Sequence, residues 1–490
     1  MTCYPDLRTF IEALDTLGDV QHVTESVSAD LEAAAITRLS TERETPAPLF
    51  ENVSGAPSGF RLFGAPASLS SVPGKPFARI ALALGLPPET TAGELVDHLA
   101  RARTFTPVPP KVVASEEAPC KQNILVGEAA TLDRFPIPRV HQDDGGPYPN
   151  TWGIIVAKTP DGSWTNWSIA RIMQIDGRHM TGQIQPSQHI GRIWEEWAKL
   201  GQPMPFALVQ GGDPAIPVVG GMPLPDGVDE AGYIGALHGE PLKVVPCETV
   251  DLDVPASAEV VIEGHLSPGR DAVEGPFGEF NGYAASETSQ QPVYTIAAIT
   301  YRDAPIWPVV AEGRPVDECH TVIGAGQSSA LLAELRAAGL PISTVWAPLR
   351  TAIHWAVVTV PPQWRMVLAK ADPAEFARKI ADVIDASRSG RKFSHIFILD
   401  DDIDPADDRD LLWGLATRVH PTDHREVRHG RIHPLMYCYS EQERHTVRGP
   451  LTIVHALQPA PGHGRMAHSS FYEAYPPDVQ ARATAQINSQ

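Results

Sequence analysis

Two carboxylates five residues apart, in Glu274-Gly-Pro-Phe-Gly-Glu279, form the sharpest candidate for chemistry in this 490-residue chain. The two glycines and the proline between them predict a loop, because glycine permits close backbone approaches and proline breaks a helix. Such a loop can aim both carboxylates into a pocket, and general acid–base work needs one of them raised in pKa by burial. Short glutamate-containing turns are common, so a surface turn with two solvated glutamates is the simpler alternative.

A second constellation is Trp164-Thr-Asn-Trp-Ser-Ile-Ala-Arg171. Read as a strand, its alternation puts Asn166, Ser168 and Ala170 on one side. Small residues beside an arginine suit close approach to a flat ligand or a phosphate. A strand whose Arg171 makes a structural ion pair is the competing reading. Two further segments, Gln185-Pro-Ser-Gln188-His189 and Pro223 to Tyr233 with Glu230, add an imidazole and a carboxylate to the Asn166 amide. That mixed set suits manganese or magnesium shared with phosphate oxygens. Nothing in the spacing proves it, since a single histidine among 18 is ordinarily structural. The dinucleotide, phosphate-loop, zincin and nucleophile-elbow motifs are absent.

The formal net charge of −20 works against nucleic acid and anionic membranes and favours a small substrate. Five dispersed cysteines without a C-x-x-C, and no apolar run long enough to span a bilayer, lead us to expect a cytoplasmic protein. Helical spacing is read over residues 6–17 and 30–39, and Thr91 with Glu94 predicts a capping box. Segments 106–111 and 135–147 read as connectors. From 152 to 299, short β-like runs with one helix at 190–200 suggest a barrel-like core. Then helices at 328–338, 373–386 and 408–418 alternate with strands at 355–360 and 396–399, a second α/β unit. Residues after 440 read as an extended arm with a terminal helix.

The stretches TNWSIARIM (165–173), PSQHIG (186–191), GMPLPDGVDEAGY (221–233) and EGPFGEFNGY (274–283), with DECHTVIG (317–324), FILDDDID (397–404) and AYPPDV (474–479), resemble the UbiD family, most closely its ferulic/cinnamic acid decarboxylase branch. The resemblance spans nearly the whole chain. It implies an α/β (α+β) protein: a split β-barrel domain with surrounding helices that binds prenylated FMN (1–303), a connecting helix (304–328), a smaller α/β oligomerisation domain (329–440) and a C-terminal arm (441–490). It implies a manganese-like ion (or magnesium) held by Asn166, His189 and Glu230, and potassium held partly by carbonyls around Trp167, Gly221 and Met222. Ser168, Ile169, Ala170, Arg171 and Gln188 would line the cofactor.

The family's Glu–Arg–Glu network falls on Glu274, Arg171 and Glu279. Arg171 would orient the substrate carboxylate and hold Glu274 ionised, leaving Glu279 to protonate the carbon that loses carbon dioxide. The family's phosphate-contacting lysine is replaced by Arg388, with Lys392 close by. Cys319, Ile323, Lys392, Arg431 and His433 fall at substrate-wall positions, and their polarity points to a hydroxylated or nitrogen-heteroaromatic acid. A UbiX-type prenyltransferase as cofactor source, and a homodimer or larger homo-oligomer, are implied as well. The rival readings are a metal-dependent phosphate-ester hydrolase, an ordinary FMN oxidoreductase and a non-catalytic flavin-binding protein.

Overall fold

The computed structural model describes residues 3–283, 287–367, 372–387, 389–390, 393–458 and 467–487. The first helix, Leu7–Thr16, buries Leu7, Phe10, Ile11 and Leu14, and the Asp6 carboxylate caps it by accepting the Thr9 N–H at 2.9 Å. The helix Ala92–Ala102 starts on the expected capping box of Thr91 and Glu94. These helices, with Glu32–Arg43, flank a four-stranded sheet in the order Val20–Val23, Ala47–Phe50, Arg61–Gly64, Ile306–Val309. The start of the expected connecting segment is therefore a strand, pairing in parallel with Arg61–Gly64.

The centre of the molecule is a curled sheet of eight strands. Its path runs Thr165–Ser168, Ile154–Lys158, Met204–Gln210, Val260–Leu266, Val293–Tyr301, His179–Gly182, Ile172–Gln174, and Asn123–Val126 also pairs with Val293–Tyr301. The two end strands of this path are joined by Ile169, Ala170 and Arg171 alone. Four Cα steps span at most about 14 Å, so the sheet must curl until its edges face each other. Arg171 stands in that gap.

The last unit carries a five-stranded sheet in the order Thr344–Trp346, Trp355–Val360, His395–Asp400, Arg448–Ala456, Arg425–Arg431. Its three central strands are parallel and nearly continuous in buried apolar residues, as strands covered on both faces must be. Strand Arg448–Ala456 corrects the expectation of an extended arm from 441 onward. Its first residue, Arg448, is exposed, but Leu451, Ile453, Val454 and Ala456 along it are buried. Only beyond the sheet does a terminal helix, Pro477–Ile487, follow.

The helix expected at 328–338 begins earlier, at Gly324, after a π-type turn over Cys319–Ile323. The small residues of Gly324-Ala-Gly326 look loop-like in sequence but are needed for packing. A Cβ on Gly326 would lie 3.1 Å from the Met222 side chain, and one on Gly324 would lie 3.1 Å from Leu349 and Ile353. No helix among the described residues is long and apolar enough to cross a membrane.

Candidate active site

The three residues that bridge the sheet edges are held by Asn150, which is fully buried. Its amide nitrogen donates to the carbonyl oxygens of Ala170 at 2.7 Å and Gly153 at 3.2 Å. Its oxygen accepts from the Gly153 N–H at 2.6 Å and from the Gln210 amide at 2.8 Å. With both ends of the amide satisfied, the backbone before Arg171 has one position.

From there Arg171 reaches the 274–279 loop. Its Nε donates to Glu274 Oε1 at 2.8 Å and its Nη2 to Glu274 Oε2 at 3.1 Å, a two-pronged pairing that fixes the guanidinium plane. Nη1 donates to Glu279 Oε1. The guanidinium lies 5.1 Å from the centre of the Phe277 ring. Tyr148, whose ring is 4.5 Å from Phe277, donates its hydroxyl to Glu274 Oε1 at 3.1 Å. Glu274 is 1% exposed and Glu279 4%, which overturns the solvated-turn alternative. Arg171 makes the ion pairs of the competing reading, with Glu274 and with Glu279.

Two glycines let the loop take this course. Gly275 has φ +86°, a left-handed conformation that side chains rarely adopt. A Cβ on Gly278 would sit 2.6 Å from the His141 ring. His141 and Asp144 clamp the loop: the Asp144 carboxylate accepts the Gly278 N–H at 3.0 Å and pairs with His141 Nδ1 at 3.2 Å. Further along, His320 Nε2 lies 2.7 Å from the Phe280 carbonyl, and the Asn281 amide donates to the Leu435 carbonyl at 2.7 Å.

Burial pushes the Glu279 carboxyl above the ordinary carboxylate range, and the Arg171 charge only partly opposes it. Both carboxylates share one guanidinium, so Glu279 is less detached from Arg171 than expected. It is nevertheless the acid that burial biases toward holding a proton.

The second constellation also assembles. Asn166 Nδ2 donates to Glu230 Oε1 at 2.7 Å and lies 3.4 Å from His189 Nδ1. Glu230 Oε2 accepts the Trp167 N–H at 2.8 Å, and Ser168 Oγ donates to Asn166 Oδ1 at 2.5 Å. His189 Nε2 lies 3.0 Å from Asp226, which also pairs with Arg192 at 2.6 Å. An Nε2–H given to Asp226 leaves the Nδ1 lone pair facing Asn166, the orientation a metal ligand needs. Trp164, 4.9 Å from the His189 ring and donating to the Val228 carbonyl, walls this cluster.

Glu230 is buried with no Lys or Arg paired to it among the described residues, and burial pushes its carboxyl up to about 8. A divalent cation would supply the missing charge. Nearby, Gln188 Oε1 is buried without a partner among the described residues, an acceptor left open for a ligand donor. Ile169 packs against Gly220 and Gly221, where a Cβ would meet its side chain within 3.6 Å, and Met222 follows at once. The donor set therefore fits a metal and an anionic cofactor.

One consequence concerns stability. Metal-free protein should lose stability as pH rises from the ordinary carboxylate value of about 4.3 to about 8. In that window the unfolded chain has released the Glu230 proton while the folded site still holds it. Thermal melting from pH 5 to 8, with and without manganese, checks this: added metal should flatten the fall.

Of the residues expected at the substrate wall, Cys319 and Ile323 lie in the π-type turn, and Val322 between them reaches Gly221. The Cys319 thiol contacts the carboxyl of Glu312, and burial keeps it protonated. His433 lies 5.9 Å from the Phe280 ring, beside His354 at 6.2 Å. Arg431 does not join this wall. It is exposed and lines a different cavity of about 290 Å³ with His429, Gly390 and Arg448. The split falls where the strand ends: Arg431 is the last residue of Arg425–Arg431, and the chain leaves the strand after it through buried Ile432. Arg388 and Lys392 lie outside the described residues.

Sequence reasoning missed Tyr148, Asn150, His141, Asp144, Glu312 and His354. His141 and Asp144 lie within a segment read as a connector, although a His-x-x-Asp beside two glycines was a usable sign.

Comparison with known proteins bears on the same residues. Three family models match in order: the 3-octaprenyl-4-hydroxybenzoate carboxy-lyase N-terminal domain at 11–99, its Rift-related domain at 111–315 and its C-terminal domain at 320–454. A pyrrole-2-carboxylic acid decarboxylase of Pseudomonas aeruginosa is 39% identical over 480 residues, covering 97% of this chain and 96% of its own length. The chain belongs to the UbiD family.

As a UbiD-type decarboxylase it has other named relatives. Ferulic acid decarboxylase 1 of Saccharomyces cerevisiae is 40% identical over 423 residues, 85% of this chain and 83% of that one. Among solved structures, the open form of Sedimentibacter hydroxybenzoicus vanillic acid decarboxylase superposes with a TM-score of 0.83 at 25% identity, covering both chains completely. The UbiD-class enzyme HmfF of Pelotomaculum thermopropionicum, solved with prFMN, superposes at 0.79 with 26% identity over 95% of this chain and 97% of that one. In this UbiD-family chain the metal-type and acid-type clusters both fall inside the Rift-related match.

Proposed function

We propose that this chain catalyses reversible, non-oxidative decarboxylation of an aromatic, heteroaromatic or α,β-unsaturated carboxylic acid, using prenylated FMN and with Glu279 as the proton donor. The observation that carries the reading is Arg171, half-buried and paired with two buried carboxylates in the gap of the curled sheet. The relatives named for pyrrole-2-carboxylic and ferulic acids, and the prFMN bound in HmfF, support it. The phosphate-ester hydrolase and the oxidoreductase would have no use for this acid network.

Asn166, His189 and Glu230 would hold manganese or magnesium against the cofactor phosphate. The Ser168–Ala170 backbone and the open acceptor of Gln188 would line the cofactor. Carbonyls of Trp167, Gly221 and Met222 would contribute to a potassium site, although the Met222 carbonyl already accepts the Leu224 N–H at 2.9 Å. Prenylated FMN, when bound, supplies the electron sink for the pair left behind as carbon dioxide departs.

The chain's own residues do the rest. Arg171 faces the substrate carboxylate while keeping Glu279 in place. Phe277 and Tyr148 exclude water from the guanidinium, which strengthens its pull on an anion. Glu279 then gives its proton to the carbon that has lost its carboxylate. In the reverse direction its ionised form takes that proton back. Cys319, Ile323, His433 and His354 shape the ring pocket. Burial lowers the His354 imidazole to about 4, so at neutral pH it is a hydrogen-bonding wall without charge. Such a wall suits hydroxylated or N–H-bearing rings.

Native mass spectrometry with an absorbance spectrum, on protein co-expressed with a UbiX-type flavin prenyltransferase, tests the cofactor assignment. A bound mass of prenylated FMN plus manganese is expected, and the same spectrum reports a homodimer or larger assembly. Ordinary FMN as the sole ligand in active protein, or metal without flavin, would overturn it.

A further inference from the structure

Glu279 sits on a closed turn. Its N–H donates to the Tyr283 carbonyl at 3.2 Å, its carbonyl accepts the Gly282 N–H at 3.0 Å, and the Asn281 side-chain oxygen accepts the Tyr283 N–H at 3.0 Å. Gly282 has φ +88°, and a Cβ there would lie 2.9 Å from the Arg314 Cα, so the backbone is closely packed on that side. The near side of the loop is tied to the unit that carries Arg171. Asp144 accepts the Gly278 N–H, and His141 beside it is joined to the Glu312 carbonyl at 2.8 Å. Among the described residues, the far side, 281–283, makes one hydrogen bond outside the turn. It runs from the Asn281 amide to the Leu435 carbonyl at 2.7 Å.

Leu435 belongs to residues 432–447, which join the antiparallel strands Arg425–Arg431 and Arg448–Ala456. Hairpins ordinarily close in about two to five residues. Here the chain leaves the sheet and builds a small core of its own from Ile432, Met436 and Tyr439. The Tyr439 hydroxyl donates to the Pro450 carbonyl at 2.7 Å, and Leu435 packs against the main apolar core, so the excursion is braced on its own unit. Its contacts then step along the acid loop in one order. His433 lies 5.9 Å from the Phe280 ring, Leu435 accepts from Asn281, the Tyr437 ring is 5.3 Å from Tyr283, and Arg444 is 3.6 Å from Glu287. Two loops that merely touch meet at one point, whereas a run of contacts in register is a built interface.

We propose that Asn281 is a positioning residue for the protonation step: through it, the 432–447 excursion holds the turn of Glu279 at the place from which proton delivery succeeds. This rests on the decarboxylase reading above. The Glu279 N–H and carbonyl are both bonded within the turn, so a shift of Asn281 carries the carboxyl with it. Arg171 is fixed separately, by Glu274 and by the Asn150 bond to the Ala170 carbonyl. The grip therefore sets Glu279 against a guanidinium that does not move with it. Asn281 itself exchanges no proton; that proton passes from the Glu279 carboxyl to the carbon that loses carbon dioxide. Misplacing a reacting group by about 1 Å can slow its step about 10²-fold.

The test uses wild type, Asn281→Ala and Asn281→Ser, each loaded with prenylated FMN and manganese. Serine can still accept the Tyr283 N–H and close the turn, but it is too short to reach the Leu435 carbonyl. Both variants should keep the bound cofactor and a KM within about twofold of wild type, while kcat falls about 10- to 100-fold. Carbon dioxide release in a single turnover should slow less than formation of the protonated product, and the solvent deuterium isotope effect on kcat should rise. Tyr437→Ala, at an exposed ring, loosens the grip from the other side and should lower kcat about threefold in the same manner. Hydrogen exchange read by mass spectrometry should quicken in both 274–283 and 432–447 in each variant, with 164–171 and 185–191 unchanged. Wild-type kcat and exchange in Asn281→Ser overturn the proposal, and so does a loss of turnover that comes only from lost cofactor or a raised KM. If no form turns over any acid, the decarboxylase reading fails, and the exchange data still decide whether Asn281 joins the excursion to the acid loop.

Discussion

Glu279→Gln protein should bind prenylated FMN and metal as the wild type does, yet turn over about 10²- to 10⁴-fold more slowly, the usual range for losing a general acid. The amide keeps the size of the carboxyl and can still accept from Arg171, so the loop held by His141, Asp144 and His320 should stay in place. What is lost is a proton that can be given up. Single-turnover experiments should show carbon dioxide release slowed less than protonated product, since the proton enters only after the carboxylate leaves. Wild-type turnover in this variant would remove Glu279 from the role.

Arg171→Met should be damaging in a second way. It takes away the one cation that pairs with two buried carboxylates among the described residues, and removing one partner of a buried pair costs about 3–5 kcal/mol. The variant should lose turnover and melt at a lower temperature, with the loss greatest at alkaline pH, where both carboxyls are driven to ionise without a partner. Adding Glu274→Gln should recover part of the stability, because one stranded charge is gone, but none of the activity. Arg171→Lys should keep more stability than Arg171→Met and still turn over poorly, since an ammonium cannot make the two-pronged contact with Glu274 and reach Glu279 together. A melting temperature unaffected by Arg171→Met would mean that the ion pairs carry no weight in the fold.

Elements with strong periodicity were legible from the residues alone. The strand Trp355–Val360 and the helices Pro373–Ala386 and Asp408–Arg418 fall where alternation, caps and Pro at a first helical turn place them. The Gly324-Ala-Gly start of a helix and the strand Arg448–Ala456 were not, because packing partners distant in sequence decide both. At the site, residue type and loop chemistry pointed to Glu274, Glu279, Asn166, His189 and Glu230, whereas family resemblance supplied their roles. Asn150 and Glu312 carry no local mark. Asn150 matters because two sheet edges meet there, and Glu312 because a strand of a different sheet ends beside the acid loop. Long-range geometry of that kind has no periodic signature. Arg431 shows the converse, a residue two positions from His433 that closes the strand Arg425–Arg431 and faces solvent, while the chain meets Phe280 only after leaving the strand.

The account's central claim is tested most directly by product analysis in deuterium oxide. Protein loaded with prenylated FMN and manganese is given a panel of hydroxylated benzoic, cinnamic and pyrrole- or indole-type acids. The account predicts one carbon dioxide per product for at least one acid, with a single deuterium at the carbon that bore the carboxylate and no change in oxidation state. Protein loaded with ordinary FMN should be inactive. An oxidised or reduced product, or release of phosphate from an ester by metal-loaded protein without flavin, would contradict it.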